Sequence, residues 1–232
     1  MWCVAEMDGP YIEKMEDVLA VYEKPYDAAE PVVCVDEKPV SLHADVRPSQ
    51  PMAPGKIAKR DNEYQRCGTA NVFCRCGTAN VFCAVEPQAG QHFTWPTPNR
   101  AAPQLAKVMR TLVKSYPRAR TLHWVMNNLN IHGRKSFTDS YGEKEGGDLW
   151  NRLTVHYAPK HGSWLNQAEI EISLYARPCL GKRRIPDLAS LRRESRAWNR
   201  QVNRARVKIN WKFSRRDARH KFGYHKNSFK RS

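Results

Sequence analysis

Residues 31–37 read Pro-Val-Val-Cys-Val-Asp-Glu, a continuous apolar run that ends in two acids. A short apolar run without polar alternation is typical of a strand that is buried on both faces of an α/β sheet. Asp36 is therefore expected at the carboxyl end of this strand, where open α/β sheets bind their ligands. Two interpretations of its carboxylate stay open: it binds a metal ion, or it caps the end of the strand.

Beyond this run, apolar stretches alternate with segments of helical periodicity. Strands are predicted at residues 70–74, 81–85, 91–97, 120–126, 153–157 and 209–213. Helices are predicted at residues 11–22, 102–116, 164–180 and 188–206, followed by a short basic helix. A helical crossover between strands in this order predicts a mixed sheet that is covered by helices.

The charge of the chain is strongly uneven. The 232 residues carry 39 Lys and Arg against 23 Asp and Glu, which gives a formal net charge of +16. Residues 1–45 hold eleven acids and three bases, whereas residues 177–232 hold nineteen bases and three acids. This balance argues against a typical acidic soluble enzyme and indicates an anionic polymer as the partner.

The basic C-terminal part contains two groups of candidate DNA-binding residues. One group is consecutive in the chain: Lys182, Arg183 and Arg184. The other recurs at helical spacing: Arg192, Arg193, Arg196 and Arg200. Clustered bases of this kind bind the phosphates of nucleic acids, and the alternative is a solvated helix face.

Several features bear on the compartment. No run approaches the roughly 18 apolar residues that a membrane-spanning helix needs. Residues 1–10 lack the basic and apolar regions of a signal peptide. The seven cysteines contain no Cys-x-x-Cys pair, which favours a reducing environment over a disulfide scaffold. We therefore expect a cytoplasmic protein without a membrane partner.

A nine-residue segment occurs twice in tandem. Residues 66–74, Arg-Cys-Gly-Thr-Ala-Asn-Val-Phe-Cys, are repeated without change as residues 75–83. Because nine is odd, one strand through both copies would present the wrong face after the first copy. We expect the second copy to keep the strand register, since it leads directly into Ala84, and the first to be expelled. The repeat also brings four cysteines close together, but their spacing does not match that of structural zinc sites.

Other polar residues have both a chemical and a purely structural interpretation. Asn127 and Asn128 follow a predicted strand, where asparagine also favours a turn. Glu169 lies on a predicted helix, and a surface glutamate is the commoner case. Lys160 and His161 precede it in a turn, either as phosphate contacts or as part of a solvated loop.

Three segments together resemble the DDE endonuclease domain of bacterial insertion-sequence transposases, most closely the IS-six-thirty group of the mariner superfamily. The segments are 34–39 (CVDEKP), 125–132 (VMNNLNIH) and 156–171 (HYAPKHGSWLNQAEIE). They occur in the family's order, and the likeness covers nearly the whole chain. It implies a ribonuclease H-like α/β fold, a mixed sheet flanked by helices with a basic helical C-terminal extension. It also implies two-metal phosphoryl transfer on DNA, which cleaves transposon ends and transfers strands.

The resemblance also implies roles for single residues. Asp36 and Glu169 take the positions of metal-binding carboxylates, and Asn127 stands where the family has a second aspartate. Magnesium and manganese prefer oxygen ligands, and two such ions stabilise the attacking and leaving oxygens of an in-line displacement. Asparagine offers a carbonyl oxygen but no negative charge. We therefore expect weakened binding of Mg²⁺ or Mn²⁺ and severely impaired cleavage.

The resemblance further suggests a division of the chain. Residues 1–30 form an acidic linker or helix remnant, 31–180 the catalytic domain with the duplication at 66–83, and 181–232 a basic helical region. No helix-turn-helix with a tight glycine turn precedes residue 31, so non-specific rather than end-specific DNA binding is expected. A homodimer on DNA and association with a bacterial nucleoid are also consistent with the resemblance.

Three interpretations of the function stay open at this point. The chain is a degraded transposase fragment, a catalytically inactive DNA-binding protein that keeps the fold, or an active magnesium-dependent nuclease that tolerates Asn127. Poor expression favours the first, DNA binding that is insensitive to magnesium the second, and nicking that is lost on Asp36→Ala the third.

Overall fold

The computed structural model describes residues 7–59, 61–66, 78–127, 131–181 and 183–225. Within these ranges the α-helices are α1 (Gly9–Tyr22), α2 (Ala102–Ser115), α3 (Arg134–Asn151), α4 (Ala168–Leu174), α5 (Leu188–Ala205) and α6 (Arg215–Phe222). The strands are β1 (Val32–Ser41), β2 (His43–Asp45), β3 (Tyr64–Arg66), β4 (Thr78–Glu86), β5 (Gln91–Thr97), β6 (Leu122–Asn127) and β7 (Leu153–Ala158). None of the described helices combines the length and the apolar character that crossing a membrane requires.

Five strands form the central sheet in the order β5-β4-β1-β6-β7. The pairs β5-β4 and β4-β1 are antiparallel, whereas β1-β6 and β6-β7 are parallel. Strands β2 and β3 form a separate antiparallel pair. An antiparallel three-stranded unit followed by two parallel strands is the ribonuclease H-like arrangement, so the expected fold class is confirmed.

Helices cover both faces of the sheet because its central strands are apolar on both sides. Val33, Phe82 and Trp124 pack beneath α2 and α3 on one face. Cys34 and Val125 point to the opposite face, where they pack with α1, α4 and α6. Helix α5 covers the neighbouring part of this second face, above β4 and β5. The basic C-terminal helices are thus part of the packed structure.

The first strand is longer than predicted. The expectation that it ends at Asp36 and Glu37 was wrong, because β1 continues to Ser41 through backbone pairing with β4. Its parallel pairing with β6 covers only Val32 to Cys34. Asp36 therefore lies where β1 has left β6 but is still held by β4, opposite Cys83.

The second copy of the repeat supplies the strand that pairs with β1. Residues 78–83 form most of β4, and Cys83 is fully buried. The first copy lies outside the described residues except for Arg66 in β3. The strand predicted at residues 70–74 and three of the four clustered cysteines fall in the same undescribed range.

Helix α3 was not predicted, and its glycines explain why. Gly142 interrupts it with a φ of +80°, so two short helical pieces are joined there. A Cβ atom on Gly146 would lie 2.4 Å from the carbonyl oxygen of Phe137, so the two pieces approach backbone to backbone. Glycine is a poor helix former, which conceals such a helix in the sequence.

Two other segments differ from the prediction. The helix predicted over 164–180 consists of a 3₁₀ turn at Ser163–Leu165, helix α4, and a π-helical turn at Tyr175–Leu180 that contains Pro178. Proline has no N–H to donate and disturbs regular α-helical bonding there. Residues 209–213 form no strand; Trp211 and Phe213 pack against the α1 cluster without a strand partner.

The acidic helix α1 holds the basic helix α6. Glu16 accepts hydrogen bonds from the Arg219 guanidinium, with Oε1 2.8 Å from Nε. Glu23 accepts from the backbone N–H and the Nε of Arg215, at 2.6 and 2.7 Å. These contacts pair the N-terminal acids with C-terminal bases.

Candidate metal site and nucleic-acid surface

Asp36 has a buried carboxylate, with 5% of the residue exposed. Its Oδ1 accepts the backbone N–H of Glu37 at 2.8 Å. Its Oδ2 accepts an N–H of the Asn127 side chain at 3.0 Å. Asn127 is the last residue of β6, and the end of that parallel strand brings it beside the open flank of β1. Asn128 lies outside the described residues.

Glu169 approaches the same place from above the sheet. It lies in the first turn of α4 and is exposed, and its carboxylate forms no hydrogen bond or ion pair with another described residue. Burial raises the pKa of Asp36 to about 6, and the negative charges of Glu169 and Glu37 add to this effect. The structure thus brings the two carboxylates and the Asn127 amide to one edge of the sheet.

Asn166 also belongs to this group, although it was not among the predicted site residues. It is buried, and its Nδ2 donates to the backbone oxygen of Val35 at 2.9 Å and to Oδ2 of Asp36 at 3.3 Å. Its Oδ1 accepts the N–H of Ala168 at 3.1 Å. One amide therefore links β1 to the start of α4. Its place three residues before Glu169, inside the third resembling segment, is the signal that could have identified it.

A second buried pair supports Asn127 from the opposite side of the sheet. His132 donates through Nδ1 to the carbonyl of Asn127 at 2.5 Å, and its Nε2 lies 2.7 Å from Oε1 of Glu37. Burial lowers the pKa of His132, but the Glu37 carboxylate outweighs it, so the pKa is raised. This hydrogen-bonded pair fixes the backbone at the end of β6.

The side-chain oxygens at this edge suit a hard divalent cation, although only two of the side chains are carboxylates. Asp36 and Glu169 offer carboxylate oxygens and Asn127 an amide oxygen, which are the ligand types that Mg²⁺ and Mn²⁺ take. The two negative carboxylates repel each other, and a cation between them would remove this repulsion. Among the residues that the structure describes, no group of three or more His, Cys, Asp and Glu could hold a metal ion. Asp36 and Glu169 are the two candidate anionic ligands at this edge of the sheet.

The predicted phosphate contacts fall into two groups. Lys160 and His161 are exposed in the turn that joins β7 to the 3₁₀ turn before Asn166, and this turn starts at the edge where Asn127 lies. His161 has a positive φ of 63°. These two side chains are accessible near that edge of the sheet.

The consecutive basic run does not form one free surface. Arg184 donates to Oδ1 of Asp45 and to the carbonyl of Asp61, at 2.7 and 2.8 Å, and so anchors the segment between β1 and β4. Arg183 pairs with Glu194 at 2.8 Å. Lys182 lies outside the described residues. Arg184 therefore stabilises the fold and is not free to contact DNA.

The arginines of α5 lie on its outer side. The predicted ones are all exposed: Arg192, Arg193, Arg196 and Arg200. The inner side of α5 buries Leu191, Trp198 and Val202 against the sheet. Arg196 and Arg200 form no ion pair with another described residue, so their charges are available to an anionic ligand.

Comparison with known proteins relates this arrangement to one family. The model of the DDE superfamily endonucleases matches residues 31–192. Comparison with the curated proteins gives no significant match.

Two solved structures have a similar fold. One is the Mos1 mariner paired-end complex with Mn, at 12% identity and a TM-score of 0.52, over 89% of this chain and 61% of that one. The other is the Mos1 transposase paired-end complex with the left transposon end, at 13% identity and a TM-score of 0.53, with the same coverage. At sequence identities this low, the comparison shows a similar fold and nothing further. The chain spans about three fifths of the length of these relatives.

Proposed function

The chain belongs to the DDE superfamily of endonucleases, and we propose that it is an impaired transposase catalytic unit of the bacterial IS-six-thirty group. In this proposal residues 31–180 are the catalytic domain and residues 181–232 the basic DNA-binding region. The observation that carries it is the meeting of Asp36, Asn127 and Glu169 at one sheet edge. These are the positions that the family resemblance assigns to its metal ligands.

The residues of such a site would have different roles. Asp36 and Glu169 would hold a divalent cation, with the Asn127 amide oxygen as a neutral third ligand. A cation bound there supplies positive charge that stabilises the oxygens of a phosphodiester under attack. Asn166 keeps the Asp36 carboxylate oriented through its 3.3 Å hydrogen bond. Lys160 and His161 would contact neighbouring phosphates.

Asn127 weakens this site in two ways. It contributes no negative charge where the family has an aspartate. Its Nδ2 also donates to Oδ2 of Asp36, so one oxygen that a metal would use is occupied. Removing a residue that only supports a metal ligand costs about 10–100-fold in affinity or activity, and loss of an anionic ligand should cost at least as much.

The test compares the parent with Asn127→Asp in nicking of supercoiled plasmid in Mg²⁺ or Mn²⁺. We expect at least a roughly tenfold gain in the variant, and loss of that gain when Glu169→Gln is added. Equal, robust cleavage by the parent and the variant would contradict the impairment. Cleavage by neither protein would contradict the assignment of a nuclease site to these residues.

DNA binding without catalysis is a second candidate function, favoured by the exposed arginines of α5. The parent should shift DNA of unrelated sequences, with an affinity that falls steeply with salt and does not respond to magnesium. The double change Arg196→Gln and Arg200→Gln should reduce the salt slope by about 0.9 for each lost phosphate contact. Lys107→Gln on α2, an exposed lysine across the sheet, is the control and should leave the slope unchanged.

A further inference from the structure

Glu171 has a fully buried carboxylate whose two oxygens both accept hydrogen bonds. Its Oε2 lies 2.5 Å from Nδ1 of His92, which is also fully buried. Its Oε1 accepts the indole N–H of Trp198 on α5 at 3.4 Å. A buried carboxylate needs such partners, because desolvation without them is costly. Glu171 therefore binds α4 to β5 and to α5.

His92 is itself held from several directions. Its Nε2 donates to the carbonyl of Val207 at 2.7 Å, so both ring nitrogens lie next to oxygen atoms of other residues. Its backbone N–H and carbonyl exchange hydrogen bonds with the side chain of Asn203, at 2.7 and 2.9 Å. His92, the partner of Glu171, is therefore held in place by its own hydrogen bonds to Val207 and Asn203.

Besides the Glu171 carboxylate, helix α4 is held by the Asn166 side chain at its start and by the burial of Ala168. It has seven residues and no side-chain bond from its N-cap residue, Gln167. An isolated helix of this length is unstable in water, so its direction depends on tertiary contacts. Glu169 and Glu171 are two residues apart, which is about 200° around the helix axis. A rotation of α4 that moved Glu171 would therefore also move Glu169.

We propose that the buried pair His92–Glu171 is the positioning element that aims Glu169 at Asp36. The inference rests on the proposed function, in which Glu169 is a metal ligand. His92 and Glu171 touch neither substrate nor metal in this view; they act through the orientation of α4. Asn166 fixes the start of the helix, and the buried pair fixes its rotation.

Two substitutions of His92 separate this role from general stability. The amide nitrogen of asparagine stands roughly where Nδ1 was, and that of glutamine roughly where Nε2 was. His92→Asn therefore keeps a donor for Glu171 and loses the bond to Val207, whereas His92→Gln does the reverse. Each variant loses one hydrogen bond, but only His92→Gln releases α4.

The experiment measures Mn²⁺ binding by electron paramagnetic resonance, in the full chain that carries Asn127→Asp. We expect His92→Gln to weaken Mn²⁺ binding about tenfold or more, by analogy with other supports of metal ligands, and His92→Asn to change it less than about threefold. Circular dichroism shows that the compared proteins are folded. If His92→Gln does not fold, Trp198→Phe removes the N–H on the other oxygen of Glu171, along with part of the ring that packs against Tyr175, and should also weaken Mn²⁺ binding.

The outcomes separate the two proposals. If the Asn127→Asp chain binds no Mn²⁺, the metal site fails and this inference fails with it. If Glu169→Gln weakens binding but His92→Gln and Trp198→Phe do not, only the positioning role is overturned. Equal losses in His92→Gln and His92→Asn would also overturn it, because they would reflect general destabilisation.

Discussion

Glu169 and Glu171 are chemically identical neighbours on α4 with opposite surroundings. Glu171 is fully buried and satisfied by His92 and Trp198. Glu169 is exposed, makes no hydrogen bond or ion pair with another described residue, and affects Asp36 only through its charge. A step of two residues places them on opposite sides of the helix. One carboxylate is committed to the fold, and the other is left free for a ligand.

The largest expected effect distinguishes the two glutamates by stability. Glu171→Ala should lower the free energy of unfolding by about 3–5 kcal/mol, because it leaves the buried His92 without its partner. Glu169→Ala should change it by no more than about 0.5 kcal/mol, as at other exposed sites. Urea denaturation of the three proteins measures both values. Similar losses in the two variants would remove the distinction.

Asp36 is an intermediate case, buried like Glu171 but without a cationic partner. Its folded pKa of about 6 lies above the ordinary 3.8, because the fold favours the protonated carboxyl. The stability that Asp36 contributes is therefore fully present below about pH 4 and is lost as the pH rises through 6. Asp36→Asn should therefore stabilise the fold at pH 7 by about 1–3 kcal/mol. The gain should vanish at pH 4. If Asp36→Asn were less stable than the parent at pH 7, the hydrogen bonds to the charged carboxylate would outweigh the cost of burying it.

The smallest effect concerns Glu16, a partly exposed acid that is paired. Burial raises its pKa, but Arg219 and Tyr224 outweigh burial and the pKa is lowered. The stability that the Glu16 carboxylate contributes is therefore present above pH 4.5 and is lost as the pH falls through its pKa in the folded protein. Glu16→Gln should cost about 1 kcal/mol at neutral pH. Hydrogen exchange in α6 should increase in the variant, and in the parent only on acidification; exchange that ignores both changes would contradict the pairing.

Prediction from sequence succeeded where one physical signal dominated. The runs at 31–35, 120–126 and 153–157 became the parallel part of the sheet. In the first of them, uninterrupted apolar residues require burial on both faces. The helix at 102–116 was recognised from its apolar stripe and is confirmed as α2. Helix α3 was missed because its glycines serve close packing, which periodicity does not reveal.

The candidate site was less accessible to the same reasoning. Asp36, Asn127 and Glu169 were selected by resemblance to a family, and their role as metal ligands stays a prediction. Asn166 and His132 were not assigned supporting roles, because a single uncharged amide or imidazole has no periodic signature. The meeting of β1, β6 and α4 in space shows their contacts. The difference between Glu169 and Glu171 likewise depends on which way a seven-residue helix is turned.

The pairing of α1 with α6 affects how the molecule meets a polyanion. Arg215 and Arg219 are neutralised from within by Glu23 and Glu16, so they add little to the attraction at long range. Arg196 and Arg200 on α5 remain uncompensated among the described residues. In the proposed DNA-binding function, the attraction of an approaching duplex would therefore come from cations such as these two and little from Arg215 or Arg219.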